Sequence, residues 1–223
     1  PSLRVARKLR LAGMVVALAL AVVVASLGAQ PAAAAPGPVG LGTAGSFAVL
    51  AGSTVTNTGP SLLTGDVGVS PGTAVTGFPP GQVLGTIHRA DAVALQAKRD
   101  LVTAYDDAAS RATTAAVTAD LGGQTLVPGV YTGPTLSLTG TLTLDAQGDR
   151  GAVFIFRSAS TLTTASSSRV SVINGGDACN VYWQVGSSAT LDTNSVFVGT
   201  VLAMTSITAN TSTTVRGSLL ARD

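Results

Sequence analysis

The residues able to do chemistry are few and poorly grouped. His88 is the single histidine, and there is no Glu: all 11 acids are Asp. A metal site or a general acid–base pair needs several such groups to converge. His88 has no second His and no Glu to join it, so a surface or capping role is expected. Asp106 and Asp107 are adjacent on a helical segment, point in different directions and make a poor carboxylate pair; a solvated face is expected for both. In "LDAQGDRG", Asp145 and Asp149 fit turn positions, because Asp bonds its own backbone there; a calcium ion at that turn is the rival reading. Asp66 in "TGDVGV" reads the same way. Asp177, Asp192 and Arg169 come nearest to the clustered acids and bases that a solenoid hydrolase or lyase would need, yet they form no cluster in sequence. No G-x-S-x-G, H-E-x-x-H or Gly-rich phosphate loop occurs. Neither catalysis nor a cofactor nor a metal is expected. Cys179, the one cysteine, leads into an apolar run in "GGDACNVYWQV". A buried, inert thiol is the expectation; a partner Cys beyond the sequence is the alternative.

What the chain has in abundance is hydroxyl and glycine. Among 223 residues there are 29 Thr and 26 Gly. Charged residues make up 11%, against about 25% in ordinary globular chains. Beta-branched residues and Gly favour strands and turns. The first 35 residues stand apart. Arg4, Arg7, Lys8 and Arg10 precede an apolar run from Leu11 to Val24, and "GAQPAAAAPG" follows with small-residue cleavage sites within Ala29–Ala35. That layout is a secretory signal, too short for an ordinary membrane span; an uncleaved signal anchor is the competing reading. Without it, nine basic residues face 11 Asp, a formal charge of −2. The basic character of the whole chain therefore belongs to the leader and is no nucleic-acid footprint.

The remaining residues must be positioned mostly by strands. "SFAVLAG" (46–52), "AVFIFRS" (152–158), "NVYWQVG" (180–186) and "SVFVGTVLA" (195–203) are apolar, beta-branched and aromatic. "TLSLTGTLTL" (135–144) and "SATLDTNSVFV" (188–198) alternate small polar with apolar residues, as strands with one inward face do. One segment differs. "HRADAVALQAKRDLVTAYDDAASR" (88–111) lacks Gly and Pro and spaces Val93, Ala97, Leu101 and Ala104/Tyr105 as an amphipathic helix does. Asp91 in its first turn and Arg111 near its end suit the macrodipole. Thr-bearing turns recur weakly: Thr58-Gly-Pro-Ser61, Thr139-Gly-Thr-Leu142, Thr164-Ala-Ser-Ser167, Thr193-Asn-Ser-Val196 and Thr211-Ser-Thr-Thr214. The last three start 29 and 18 residues apart, which suggests a solenoid with uneven coils. Such coils would stack outward Thr residues into a flat grid, with rows roughly 4.8 Å apart and alternate residues about 6.7 Å apart.

"LGTAGSFAVLAGSTVTNTG", "TGDVGVSPGTAVTGF", "LGGQTLVPGVYTG", "LTLDAQGDRGAVFIFRSASTLTTASSSRV" and "CNVYWQVGSSATLDTNSVFVGTVLAMTSITANTSTTVRGSLLAR", in this order, resemble the microbial ice-binding protein family with the DUF3494 domain. The resemblance covers residues 39–222 and implies an all-β fold with one long helix: a right-handed, discontinuous β-solenoid of triangular section with the helix alongside. It implies a secreted, extracellular monomer whose partner is the ice surface, with neither nucleic acid nor, after signal cleavage, a membrane involved. Members carry Thr, Ser and Ala outward on one flat face, in a loose Thr-(Ala/Gly)-x-(Thr/Asn) pattern. Thr208-Ala209-Asn210-Thr211 matches it, and Thr164-Ala165-Ser166-Ser167 nearly does. The ice-contacting residues so implied are Thr164, Ser166, Thr190, Thr193, Thr208, Asn210 and Thr211. Leu142 and Val196 depart from the pattern, and Asp192 places a charge near the face. Members also run on past the point equivalent to "LLARD", so a final coil beyond Asp223 is expected. The rival is a surface adhesin or glycan-binding module, which would show Trp183, Tyr182 and Tyr131 along an exposed groove. The strand-like alternation around Trp183 instead expects it packed inside.

Overall fold

The computed structural model describes residues 36–223; the expected leader and its cleavage region lie outside the described residues. The chain winds in three-sided coils. The first two are β1 (Phe47–Ala51), β2 (Thr54–Thr56), β3 (Leu62–Thr64) and β4 (Asp66–Val69), β5 (Ala74–Thr76), β6 (Gln82–Leu84). β7 (Ile87–Arg89) leads into the helix α1 (Ala92–Ser110). After it come β8 (Ala115–Ala116) and β9 (Thr125–Leu126), then β10 (Gly129–Gly133), β11 (Leu136–Leu138), β12 (Thr141–Asp145). Two more coils are β13 (Phe154–Ser158), β14 (Leu162–Thr164), β15 (Arg169–Ile173) and β16 (Val181–Val185), β17 (Ala189–Leu191), β18 (Val196–Val198). β19 (Thr200–Ala203), β20 (Ile207–Ala209), β21 (Thr214–Arg216) and the last strand β22 (Leu219–Ala221) follow.

Each strand pairs in parallel with its counterpart one coil away, because the rest of the coil supplies the crossover that parallel pairing requires. The first side is a nine-stranded sheet in the order β7-β4-β1-β22-β19-β16-β13-β10-β8. The second side holds β11-β14-β17-β20 and the third β21-β18-β15-β12-β9; the pairs β2–β5 and β3–β6 are the second and third strands of the first two coils. The stack is discontinuous. The helix carries the chain to the far end of the first sheet, and the chain then winds back until β22 pairs with both β19 and β1.

The continuous apolar run over residues 195–203 is two strands, not one. Gly199, at φ 112°, turns the corner between β18 and β19, and a Cβ there would lie 2.6 Å from the Val181 carbonyl oxygen. The alternating run over 135–144 bends likewise at Gly140, at φ 75°. The helix starts later than its sequence suggests. His88 sits in β7, and Asp91 is the N-cap, accepting from the Ala94 N–H at 2.8 Å. His88 Nδ1 lies 2.7 Å from the other Asp91 oxygen, so the histidine steadies the cap. Val93 is exposed; Ala94, Ala97, Leu101, Ala104, Tyr105 and Ala108 form the buried stripe. From Ala97 onward the stripe meets Leu50, Val130, Ile155, Tyr182, Leu202 and Leu220 on the outer surface of the first side. Inside the solenoid, Tyr131, Phe156, Trp183 and Phe197 form an aromatic column with centroid separations of 5.5, 4.1 and 4.9 Å. Cys179 is exposed, against expectation, because it falls in the short 3-10 turn Ala178–Asn180 before β16 rather than in the strand. Asp106 and Asp107 face solvent but are paired, with Arg222 at 3.3 Å and Arg111 at 2.8 Å. Asp145 and Asp149 do act as turn residues, accepting from Gln147 N and Gly151 N at 2.8 Å each.

Candidate functional face

The helix covers the first side, which leaves two sides of the solenoid as flat surfaces. On the second side the strands place Leu136, Leu162, Ala189 and Ile207 inward in register, and so send Ser137, Thr163, Thr190 and Thr208 outward in one row. Thr163 and Thr208 are exposed; Ser137 and Thr190 are half-buried by their neighbours. Two residues earlier in each coil stand Thr135, Thr161, Ser188 and Ser206, with the Ser206 hydroxyl donating to that of Ser188 at 2.9 Å. The result is a two-row lattice of uncharged hydroxyls, with steps of about 4.8 Å between coils and about 6.7 Å between rows. In the first two coils Thr54, Thr56 and Thr76 are also exposed, and the Thr76 hydroxyl reaches that of Thr56 at 3.5 Å. The third side is less uniform. Its outward row in register is Thr141, Arg169, Val196 and Thr214, which mixes charge and hydrocarbon with hydroxyl.

The seven residues expected from sequence divide three ways. Thr190 and Thr208 lie in the outward row. Ser166, Thr193, Asn210 and Thr211 lie at the corner between the second and third sides. Thr164 points inward and is 1% exposed. Its hydroxyl accepts from the Asp192 N–H at 2.8 Å and bonds the Ser195 hydroxyl at 3.0 Å. The expectation that Thr164 shares the outer surface is therefore corrected. The strand register aligns Thr164 with Leu138, and β17 places Leu191 at the matching inward position. We expect Thr164→Val to cost about 1–3 kcal/mol, because it leaves a backbone donor without a partner. A denaturant midpoint measures that loss, and the activity of the folded fraction should be unchanged.

Asp192 organises the corner. Its carboxylate accepts from Asn210 Nδ2 at 3.0 Å, from the Thr193 N–H at 2.8 Å and from the Ser166 hydroxyl at 2.8 Å. These three bonds, the Asn210 bond foremost, hold its pKa at about 2. The charge is thus spent on the corner and ties three coils together. Because the folded-state pKa is depressed, the stabilisation is complete above the ordinary carboxylate value of 3.8 and is lost as pH falls through about 2. Melting the protein across that range should show the acid-side decline, and Asp192→Asn should flatten its share of it.

Ser137, Thr163 and the row from Thr135 to Ser206 were missed by reasoning from turns. The signal was present in the period-2 alternation of each short strand, once the corners are known. Trp183, Tyr182 and Tyr131 are all buried, so no exposed aromatic groove is built from them. Among the described residues no three His, Cys or Asp side chains gather as a metal site would require.

Comparison with known proteins agrees with this architecture. Residues 49–223 match the family model described as Ice-binding-like. An ice-binding protein from Nostoc sp. (strain HG1) is 56% identical over 173 residues, which are 77% of this chain and 64% of the relative; the match thus spans less than two thirds of that protein. The crystal structure of an ice binding protein from an Antarctic biological consortium superposes with a TM-score of 0.83 at 48% identity, covering 86% of this chain and 88% of the other. That of an ice-binding protein from the Antarctic ascomycete Antarctomyces psychrotrophicus gives 0.81 at 44% identity, covering 82% and 92%.

Proposed function

The chain belongs to the ice-binding-like family, and on that premise we propose that it is a secreted protein that adsorbs to ice through the Thr- and Ser-bearing second side of its solenoid. The observation that carries the reading is the in-register row Ser137, Thr163, Thr190 and Thr208, free of charge and flanked by a second hydroxyl row. Each Thr offers a methyl and a hydroxyl in fixed geometry, because beta branching restricts χ1. Methyl groups order neighbouring water and hydroxyls anchor it by hydrogen bonds. β14 and β17 are hydrogen-bonded on both flanks, so docking costs little side-chain or backbone freedom there, and many weak contacts accumulate. The corner residues Ser166, Thr193, Asn210 and Thr211 extend the surface at its edge. Ice then grows only as curved fronts between adsorbed molecules, which lowers the local freezing point. The reading assigns no covalent step, cofactor or metal, and takes the active form to be a monomer released after cleavage of the leader within residues 29–35.

An ice-recrystallisation assay, with ice-affinity partitioning beside it, tests the proposal. The folded protein should keep ice grains small and enter a slowly grown ice front. A folded protein that does neither would sink the ice reading and turn attention to glycans.

A further inference from the structure

A charge borders the uncharged lattice of the second side. Asp192 follows β17 directly, at the corner between the second and third sides, and is half-exposed. Among the described residues it makes no ion pair. An anion without a cation beside it has to be held by oriented N–H and O–H dipoles. The backbone fixes its place. The Asp192 N–H donates to the Thr164 hydroxyl on one neighbouring coil at 2.8 Å, and its carbonyl accepts from the Thr213 hydroxyl on the other at 3.0 Å. The corners stack in the same register: the Ser167 N–H donates to the Thr193 carbonyl at 2.9 Å, and the Asn194 N–H to that of Thr211 at 3.0 Å. The carboxylate is thereby held between Ser166 and Asn210, one on each flanking coil.

An ionised carboxylate can only accept, so each neighbour must turn a proton toward it. The Ser166 hydroxyl donates to one oxygen at 2.8 Å; Asn210 Nδ2 at 3.0 Å and the Thr193 hydroxyl at 3.3 Å donate to the other. A free hydroxyl rotates and is donor or acceptor to suit its partner. The hydroxyls of Ser166 and Thr193 have lost that choice. Their protons point inward, and lone pairs are what the exposed Ser166 and the half-exposed Thr193 have left for water. The Asn210 amide is fixed one way round for the same reason.

We propose that Asp192 is a positioning residue for adsorption: it turns the protons of Ser166, Thr193 and Asn210 inward, so that this edge of the second side meets ice as hydrogen-bond acceptors and holds surface waters that point an O–H outward. The proposal rests on the adsorption reading above. Ser166 and Thr193 stand on adjacent coils, so their acceptors are about 4.8 Å apart, in step with the rows of the lattice. Every water in ice is both donor and acceptor. A surface of freely turning hydroxyls takes either orientation of the water it meets, whereas an edge of fixed polarity selects one. The anion itself stays half-covered among its donors.

Asp192→Asn keeps the shape, removes the charge and adds a donor, which frees the Ser166 and Thr193 hydroxyls to turn. Inhibition of ice recrystallisation and partitioning into ice should both fall by about threefold or more. Ser166→Ala, at an exposed position, should also lose activity, and the double variant should lose no more than Asp192→Asn alone. Asp145→Asn, which removes the same charge from a turn at another corner, should match the parent. Circular dichroism near the melting point of ice shows that each variant is folded. A purely structural Asp192 would lower the melting midpoint while leaving the folded protein fully active. The proposal is overturned by a folded Asp192→Asn variant as active as the parent, by an unaffected Ser166→Ala, by losses that add in the double variant, or by an equal loss in Asp145→Asn. A parent that neither inhibits recrystallisation nor enters ice overturns the adsorption reading and this proposal with it; an active parent with an indifferent Asp192→Asn overturns this proposal alone.

Discussion

Thr163→Tyr combined with Thr190→Tyr is expected to reduce inhibition of ice recrystallisation by about tenfold or more, the equivalent of roughly 1.4 kcal/mol of adsorption free energy. The two residues are direct neighbours in the outward row. A phenol at each would stand above the lattice, hold the surface away from ice and replace two fixed methyl–hydroxyl pairs. The fold should tolerate the change, because Tyr suits strands and both side chains point outward; surface substitutions of this kind usually stay within about 0.5 kcal/mol. Thr214→Tyr, outward on the third side, is the matched control and should leave activity at the parental level. If the control loses activity and the pair keeps it, the adsorbing surface is the third side.

The largest stability effect is expected at Trp183. It is 1% exposed, stacks between Phe156 and Phe197, and its indole N–H donates to the Val198 carbonyl at 3.0 Å. Trp183→Ala opens a cavity at the centre of the aromatic column and leaves that carbonyl without its donor. The cost should be about 3–5 kcal/mol, out of a total stability of about 5–15 kcal/mol for a domain. Because Trp183 is the only tryptophan, unfolding is best followed by circular dichroism. Trp183→Phe keeps the stack, loses the hydrogen bond and should recover most of the deficit. A loss below about 1 kcal/mol for Trp183→Ala would mean that the column closes over the gap.

Much of this architecture was legible in the sequence, for physical reasons that also mark where legibility stopped. The strand cores around Phe154, Trp183 and Val201 are apolar on both faces because one face lies in the solenoid core and the other under the helix. The helix declared itself by Ala97, Leu101 and Tyr105, yet its start was misplaced because capping by Asp91 depends on one hydrogen bond. The hydroxyl surface was anticipated as a grid, but the rows were phased on Thr164, Thr193 and Thr211. That alignment assumes a 29-residue step, whereas the pairing of Leu162 with Ala189 makes it 27. The error is two residues, and it arises because Ser167, Asn194 and Ser212 take left-handed corners that glycine usually marks. Gly199 misled in the opposite sense by sitting silently inside an apolar run. The seating of β22 between β19 and β1 had no local signature, since it joins Val49 to Leu219, 170 residues apart in sequence.

That seating has a consequence for how the molecule comes together. In a continuous solenoid each coil needs only its neighbour, so folding can start anywhere and the ends fray at little cost. Here Val49, paired with Val67 on one flank, gains its partner on the other flank only when Leu219 arrives, and Lys98 Nζ on the helix fastens the same strand by donating to the Ala221 carbonyl at 2.7 Å. The first two coils cannot extend the first-side sheet until β22 is in place. Such distant pairing raises contact order and slows folding, and it converts a row of semi-independent units into a single cooperative one whose seam is closed by a strand 170 residues away in sequence.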